Sequence, residues 1–243
     1  MKLLRWGQSA YETQEDLFHE RQELQKLGCT ITQQKFPPQK TTLEGLIVTS
    51  KVDVSADLMR TLPALELILT TTSGYEHIDV SYALNNGITV GRCPIARRDA
   101  VIDSSIAMAS SLIRSFPALH NKAQQGLWTR NSLPKRNMKR IKDLSIGIVG
   151  YGIIGRAAFR VWSDLGAKVR WYDPNVLGSF PLEELLHVSD VVSLHCAHTS
   201  SAHHIINNET LSMMQQGSIL INTARGPCLD TDALKEATHL GGY

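Results

Sequence analysis

Three glycines and one aspartate in the middle of the chain have the spacing of a turn that binds a dinucleotide. The apolar segment SIGIVG leads directly into Gly150-x-Gly152-x-x-Gly155, and a helical pattern follows. We expect Gly150 to allow the tight turn and Gly152 to let the backbone approach a pyrophosphate. We expect Gly155 to let the helix pack closely on the strand. The helix N-terminus then offers N–H groups and a partial positive charge to the phosphates.

The segment KVRWYD supplies the acidic residue that such a turn needs. Asp173 lies 18 residues after Gly155, where a carboxylate accepts hydrogen bonds from the adenosine ribose. The same carboxylate repels the 2′-phosphate of NADP, so the sequence predicts NAD as the cofactor. A lone GxGxxG is weak evidence, but strand, helix, strand and acid together are specific. The alternative is a tight turn in another doubly wound fold.

Arg225 is the other candidate for chemistry. It follows the apolar strand SILINTA (218–224), within NTARGPCLD. A strand end that aims a fixed positive charge into a crevice is suited to binding an anion. An arginine in this position is otherwise an ordinary solvated loop residue, and the rest of the sequence decides between the two interpretations.

The elements that position these residues alternate between strands and helices, which predicts parallel sheets covered on both faces. In the first hundred residues, strands are expected at MKLLRW, 43–50, 65–72 and 88–94, and helices at QEDLFHERQELQKLG, LMRTLPAL and SYALNNG. The longest helical stretch is 99–126, which Pro117 is expected to kink or divide. The segment LWTRNSLPKRNMKRIKD after it is expected to be a solvated basic loop. Beyond Asp173, the pattern predicts helices at PLEELLHVS and NETLSMMQQG and strands at 190–197 and 218–224.

The composition excludes several classes of protein. Of 243 residues, 42% are hydrophobic and 20% charged, and the formal net charge is +2, so neither nucleic acid nor an anionic membrane is an expected partner. No signal peptide and no apolar run long enough to cross a membrane is visible. The four cysteines form no CxxC pair and no metal-binding cluster, so we expect a cytoplasmic protein without a metal. They are Cys29, Cys93, Cys196 and Cys228.

Four segments in this order resemble the D-isomer-specific 2-hydroxyacid dehydrogenases: TTSGYEHID (71–79), GYGIIGR with YDP, SLHCAHTSSAHHIIN (193–207) and INTARGPCLD (221–230). The resemblance implies an α/β fold with two doubly wound parallel-sheet domains. Residues 1–98 would form a flavodoxin-like substrate domain and residues 99–243 a Rossmann NAD-binding domain. It also implies that the helical segment 99–126 lies between the domains and forms a homodimer.

The function implied is hydride transfer between NAD and a small D-2-hydroxy acid or 2-oxo acid, such as glyoxylate, hydroxypyruvate or a phosphoglycerate-like acid. Arg225 matches the catalytic arginine, which holds the carboxylate and carbonyl oxygens and stabilises the charge that develops. The substrate-binding residues implied are Ser73, Gly74 and Tyr75, with backbone N–H groups as the carboxylate cradle. The cofactor-binding residues implied are Ser73, Gly150, Gly152, Ile153, Ile154, Gly155, Asp173, Cys196, Thr223, Ala224 and Arg225.

One departure from the family pattern concerns the proton donor. The family has a glutamate beyond the arginine and then a histidine that acts as the general acid, and the sequence shows neither. HLGGY (239–243) resembles the segment just before a later family strand, so we expect a C-terminally truncated member with an incomplete Rossmann domain. His195 is not an expected substitute, because strand alternation turns it away from Cys196. Two alternatives stay open: a non-catalytic NAD-binding protein (corepressor-like or a fragment), and an NAD dehydrogenase of the formate or phosphite type.

Overall fold

The computed structural model describes residues 1–9, 12–39, 42–128 and 139–240. The chain divides into two compact units, Met1–Arg97 and Arg98–Tyr243. The roles expected for them, substrate binding and NAD binding, stay predictions at this point. Most of the expected basic loop falls at 129–138 and so lies outside the described residues.

The first unit contains a parallel sheet, five-stranded within the described residues, in the order β2-β1-β3-β4-β5. This is the flavodoxin-like order, which confirms the fold class predicted for this part of the chain. The core lies on β1, β3 and β4, whose apolar side chains are buried beneath helices on the sheet. The strands are β1 (Lys2–Trp6), β2 (Thr30–Gln34), β3 (Gly45–Val48), β4 (Leu67–Thr70) and β5 (Thr89–Arg92), and the helices are α1 (Gln14–Lys26), α2 (Ala56–Arg60) and α3 (Val80–Asn85).

Two details of the first unit differ from expectation. Strand β2 was not predicted, because its sequence TITQQ is polar and the strand lies at the sheet edge with no buried residue. The helix expected at LMRTLPAL is shorter and begins earlier. The Ser55 hydroxyl caps α2 by accepting from the Leu58 N–H, and the helix ends at Arg60, shortly before Pro63. Proline disfavours helical backbone at the residue that precedes it.

The second unit contains another parallel sheet, four-stranded within the described residues, in the order β7-β6-β8-β9. The chain leaves β6 to one side for β7 and then crosses to the other side for β8, so the strand order reverses around β6. In doubly wound sheets a ligand binds at the carboxyl ends of the strands at such a point. The strands are β6 (Ser145–Val149), β7 (Lys168–Tyr172), β8 (Val191–Leu194) and β9 (Ile219–Asn222), and the helices are α4 (Arg98–Ile113), α5 (Phe116–Gln124), α6 (Ile153–Asp164), α7 (Leu182–Val188), α8 (Asn208–Met213) and α9 (Thr231–Leu240).

The helical stretch 99–126 is divided, as the sequence predicts. Helix α4 ends at Ile113, Ser115 takes a left-handed conformation with φ of 54°, and α5 begins at Phe116. Pro117 lies in the first turn of α5, where its missing N–H would have had no helical partner.

The core of the second unit centres on one aromatic side chain. Trp162 of α6 is 1% exposed and belongs to a cluster with Ile102 and Ala109 of α4 and Ile146 and Ile148 of β6. One indole ring therefore joins two helices to the strand that leads into the glycine-rich turn.

Replacing this ring tests how far the second unit depends on it. We expect Trp162→Ala to lower the free energy of unfolding by about 3–5 kcal/mol, because the surrounding core cannot collapse into the space left. Trp128→Ala is the matched control, since that side chain is 86% exposed, and its effect should stay within about 0.5 kcal/mol. Urea unfolding followed by circular dichroism measures both. Equal losses in the two variants would contradict the central position given to Trp162.

Candidate functional site

The turn between β6 and α6 leaves backbone donors without acceptors. Gly152 is the N-cap of α6, and no side chain caps this helix. Within the described part of the chain, the N–H groups of Gly152, Ile153 and Ile154 have no acceptor. Unpaired donors and the positive end of the helix dipole coincide here, which makes the turn suitable for an anion such as a phosphate.

The three glycines of the turn meet different surroundings. A Cβ added to Gly150, whose φ is 93°, would lie 2.5 Å from the backbone nitrogen of Cys196. A Cβ added to Gly155 would lie 1.9 Å from the carbonyl oxygen of Gly150. A Cβ added to Gly152 meets no described atom within 4 Å. The fold itself therefore requires Gly150 and Gly155, whereas the space at Gly152 is open to a ligand, which fits the pyrophosphate of a dinucleotide.

Asp173 is fixed beside the same turn, at the carboxyl end of β7. Its Oδ2 accepts a hydrogen bond from the Tyr151 N–H at 2.9 Å, and its Oδ1 accepts from the Asn175 N–H at 3.0 Å. Each carboxylate oxygen can accept a second hydrogen bond, so capacity remains for the hydroxyls of a ribose. The structure thus brings together the glycine-rich turn and the acid that the sequence assigned to one nucleotide.

The two isoleucines of the turn have different surroundings. The Ile153 side chain is 44% exposed at the start of α6. The Ile154 side chain packs against the core that contains Trp162. Ile154 therefore offers a ligand its N–H group, whereas Ile153 also offers an apolar side chain.

The turn that carries Arg225 is held by a residue whose role the sequence analysis missed. The Asn222 side chain accepts from the Ala224 N–H at 3.0 Å and donates to the Arg225 carbonyl at 3.0 Å. Arg225 is partly buried, and its Nη1 donates to the Ala224 carbonyl at 2.8 Å. An asparagine directly after an apolar strand could have indicated this closure, because its side chain readily bonds the backbone two residues on.

Thr223, expected near the cofactor, takes part in a hydrogen-bonded network that joins three elements. Its hydroxyl lies 3.2 Å from the hydroxyl of Ser105 on α4 and 3.5 Å from Nδ1 of His195. Nε2 of His195 lies 3.0 Å from the Ser193 hydroxyl. Burial lowers the pKa of His195 to about 4, so the ring is neutral at physiological pH. The network was not predicted, since Ser105 and His195 are distant from each other in sequence.

Cys196 lies where β8 meets the glycine-rich turn. Its backbone is packed against Gly150, and its Sγ is 3.6 Å from Sγ of Cys228. Burial, the neighbouring Cys228 thiol and the charge of Asp173 together raise the pKa of the Cys196 thiol to about 12, with burial as the largest cause. The structure therefore groups Cys196 with Gly150 and Asp173.

The loop that follows β4 in the first unit also presents backbone donors. Among the described residues, no acceptor meets the N–H groups of Ser73, Gly74 and Tyr75. The carbonyls of the loop are engaged instead: Gly74 accepts from the Thr72 hydroxyl at 2.9 Å, and Ser73 accepts from Nη1 of Arg92 at 3.2 Å. Successive free N–H groups of this kind form a cradle for an anion.

Metal clusters and membrane-spanning helices are both absent from the described residues. In residues 1–9, 12–39, 42–128 and 139–240, no three histidine, cysteine or acidic side chains are grouped so that they could hold a metal ion. Across the same residues, every helix is too short or too polar to span a bilayer.

Comparison with known proteins gives a consistent result. Residues 106–242 match the family model described as D-isomer specific 2-hydroxyacid dehydrogenase, NAD binding domain. The chain is 33% identical over 207 residues to a glyoxylate reductase of Thermofilum pendens, covering 80% of this chain and 60% of that protein. It is 33% identical over 201 residues to the D-lactate dehydrogenase kk1H of Curvularia clavata, covering 78% of this chain and 57% of that protein. The chain thus spans about 60% of the length of these curated relatives.

A solved structure is similar over nearly the whole chain. It is a D-lactate dehydrogenase from Aquifex aeolicus, in complex with NAD and lactic acid. The TM-score is 0.84 at 29% sequence identity, and the match covers 99% of this chain and 74% of that one.

The glycine positions allow binding to be separated from folding. We expect Gly152→Ala to unfold near the temperature of the parent protein, yet to bind NADH at least about tenfold more weakly, because the new methyl group occupies the space left for the pyrophosphate. The matched variant Gly155→Ala should instead lose thermal stability, because its methyl group meets the Gly150 carbonyl. Thermal unfolding and NADH fluorescence titration measure the two effects. Unchanged NADH affinity in Gly152→Ala would show that the space serves another purpose.

The depressed pKa of His195 makes stability depend on pH. The ordinary pKa is 6.5 and the folded value is about 4. Between these values the unfolded chain binds the proton more readily, so stability is retained above pH 6.5 and falls as the pH drops towards 4. We expect this residue to account for about 2–3 kcal/mol of the loss at pH 4. Urea unfolding of the parent and of His195→Gln at pH 7, 5.5 and 4 measures it. The same slope in both proteins would exclude His195 as the cause.

Proposed function

The chain belongs to the D-isomer-specific 2-hydroxyacid dehydrogenase family, and on this premise we propose that it binds NAD and a small 2-oxo acid for hydride transfer between them. One juxtaposition supports the proposal. The Arg225 turn follows β9 and the glycine-rich turn follows β6, so a fixed cation and a dinucleotide cradle lie at the carboxyl edge of one sheet. A substrate anion bound by Arg225 next to the nicotinamide ring of NAD would fit that arrangement.

Apart from Ser73, the residues expected to hold the cofactor lie in the second unit. The free N–H groups of Gly152 and Ile153 would bind the pyrophosphate, and Asp173 would accept from the adenosine ribose, which favours NAD over NADP. The expected positions Cys196, Thr223 and Ala224 would face the cofactor from the carboxyl ends of β8 and β9. When bound, NADH supplies the hydride that reduces the carbonyl carbon.

Arg225 would orient the substrate. Its planar guanidinium suits the two oxygens of a carboxylate, or one carboxylate oxygen and the carbonyl oxygen of a 2-oxo acid. Its charge would stabilise the negative charge that grows on the carbonyl oxygen during reduction. Asn222 holds the backbone on both sides of Ala224, and Nη1 of Arg225 donates to the Ala224 carbonyl, so the guanidinium is positioned before the substrate arrives.

In the first unit, the Ser73 loop is the element proposed to bind a carboxylate. The free N–H groups of Ser73 and Gly74 suit a carboxylate, and we assign them this role as the family resemblance implies. Tyr75 is 45% exposed beside them, with the Arg92 guanidinium 5.5 Å from its ring centroid. Tyr75 would contribute an uncharged side chain to the substrate-binding loop.

His195 does not fit the role of general acid. Its pKa of about 4 means that it carries no proton to donate from an imidazolium at neutral pH. Its two ring nitrogens also face the hydroxyls of Ser193 and Thr223 rather than an open space. We therefore propose that His195 helps to hold the Thr223 hydroxyl in place.

The substrate class is a small 2-oxo acid, with glyoxylate as the first candidate. Two curated relatives that are at least 30% identical are named glyoxylate reductases, and a third is named a D-lactate dehydrogenase. A cytoplasmic location stays a prediction from the sequence.

A homodimer is the proposed assembly. Helix α4 exposes two apolar side chains one turn apart, Met108 and Leu112, at 42% and 47%, and α5 exposes Phe116 at its first residue, at 56%. A second copy of the chain is the partner that the family resemblance implies for this segment.

Variants of Arg225 test the proposed function. With NADH bound, the parent protein should bind oxalate, an unreactive analogue of a 2-oxo acid, and should oxidise NADH when given glyoxylate. Arg225→Ala should bind oxalate at least about a hundredfold more weakly, because a charge-assisted bidentate contact is lost. Its NADH affinity should stay within about threefold of the parent, because the contact that is lost is one to the substrate.

Arg114→Ala, which removes an exposed arginine of the segment between α4 and α5, is the control and should behave as the parent does. Fluorescence titration measures NADH and oxalate affinity, and the loss of NADH absorbance measures turnover. The proposal fails if the parent binds NADH but neither binds oxalate nor oxidises NADH with glyoxylate.

A further inference from the structure

Two cysteines 32 residues apart in sequence have their thiols in contact. Cys196 follows β8, and Cys228 ends the 3₁₀ turn Gly226–Cys228 that comes directly after Arg225. Their sulfur atoms are 3.6 Å apart, and both cysteines are free thiols. The contact therefore joins the end of one strand to the turn that follows the next.

The two thiols differ in how a reagent reaches them. The Cys228 side chain is 0% exposed, whereas Cys196 is only partly buried. A small molecule in solution thus meets Cys196 first, and the Cys228 thiol lies behind it. This arrangement provides an attacking thiol and a resolving thiol in a fixed order.

Closing a bond between these sulfurs needs only a local movement. A disulfide has a sulfur–sulfur distance of about 2.05 Å, so the thiols must approach by about 1.5 Å. Cys196 is held by the contact of its backbone with Gly150, and the N–H of the preceding residue donates to the Val149 carbonyl. The backbone at Cys228 is held as well, because the Cys228 carbonyl accepts from the Ile206 N–H at 3.1 Å and the Pro227 carbonyl accepts from the His204 N–H at 2.8 Å. The approach of the sulfurs therefore falls mainly on rotation of the two side chains.

We propose that Cys196 and Cys228 form a modification site, a dithiol that closes to an intramolecular disulfide when a low-molecular-weight disulfide such as glutathione disulfide oxidises it. The inference rests on the contact between the thiols and is independent of the proposed function. Its consequence falls on the Arg225 turn, because the Cys228 N–H donates to the Arg225 carbonyl at 3.1 Å.

The reaction proceeds by two exchanges. The Cys196 thiolate attacks glutathione disulfide, whose sulfur–sulfur bond breaks, and one glutathione leaves as a mixed disulfide forms. The Cys228 thiolate then attacks Sγ of Cys196 and releases the second glutathione. The two protein thiols lose two electrons and two protons, and these convert one glutathione disulfide into two glutathione molecules.

The environment of Cys196 gives the reaction a distinctive pH dependence. Two titratable groups face this thiol, Cys228 from the turn after Arg225 and Asp173 from the end of β7, and both raise its pKa in addition to burial. With a pKa of about 12, the thiolate fraction rises about tenfold for each pH unit between pH 7 and 9. Free cysteine, with a pKa of about 8.5, levels off over the same range.

The test is incubation of the reduced protein with glutathione disulfide at pH 7, 8 and 9, followed by intact mass and non-reducing peptide mapping. We expect loss of two hydrogens, a peptide pair linked through Cys196 and Cys228, no retained glutathione, and a rate that rises about tenfold per pH unit. Dithiothreitol should reverse it. Retained glutathione at Cys196, links confined to Cys29 or Cys93, or no reaction would overturn the proposal.

Two variants separate the steps. Cys228→Ala should stop at the mixed disulfide and retain one glutathione on Cys196, because the resolving thiol is gone. Cys196→Ala should retain none on Cys228, because that thiol is enclosed. If either variant does not fold, the peptide mapping of the parent protein still tests the proposal. Rapid modification of Cys228 in Cys196→Ala would contradict the assigned order of the two thiols.

Discussion

The second unit depends on one close approach of backbone to backbone, that of Gly150 to Cys196. No Cβ fits between them, because it would lie 2.5 Å from the Cys196 nitrogen. The contact brings the end of β6 against the end of β8 and makes the following turn tight. Helix α6 therefore starts with its free N–H groups beside the open space at Gly152, and the Tyr151 N–H reaches the carboxylate of Asp173 at 2.9 Å. The anion cradle follows from excluded volume at a single glycine.

The Arg225 turn is positioned in a different way, by neutral groups. The amide of Asn222 bonds the backbone on both sides of Ala224, and Thr223 contacts Ser105 and an uncharged His195. These hydrogen bonds between neutral groups hold the backbone of the turn in one conformation. Such preorganisation leaves little reorganisation to be made when an anion binds.

The sequence alone predicted those features that are local in the chain. The glycine-rich turn and Asp173 lie within one strand–helix–strand unit, and Pro117 correctly divided the long helical segment. Strand β2 could not be predicted, because TITQQ has no apolar alternation. The Ser105–Thr223 contact and the Cys196–Cys228 pair join residues 118 and 32 positions apart. No local spacing rule relates such residues, so only the packing of α4 and the two strand ends reveals them. The roles of the individual site residues stay predictions from the family resemblance.

The hydrogen bonds around Thr223 also run in a preferred donor-to-acceptor direction. The Ser105 hydroxyl donates to the Val101 carbonyl at 2.7 Å, so its oxygen is left to accept from the Thr223 hydroxyl at 3.2 Å. The Thr223 proton is then directed to the Ser105 oxygen or to the Leu194 carbonyl at 3.5 Å, which favours a hydrogen on Nδ1 of His195 and an Nε2 that accepts from Ser193. The hydrogen bonds that begin at one carbonyl of α4 thereby favour one imidazole tautomer at the end of β8. The helix controls not only where these groups lie but also the direction in which their protons point.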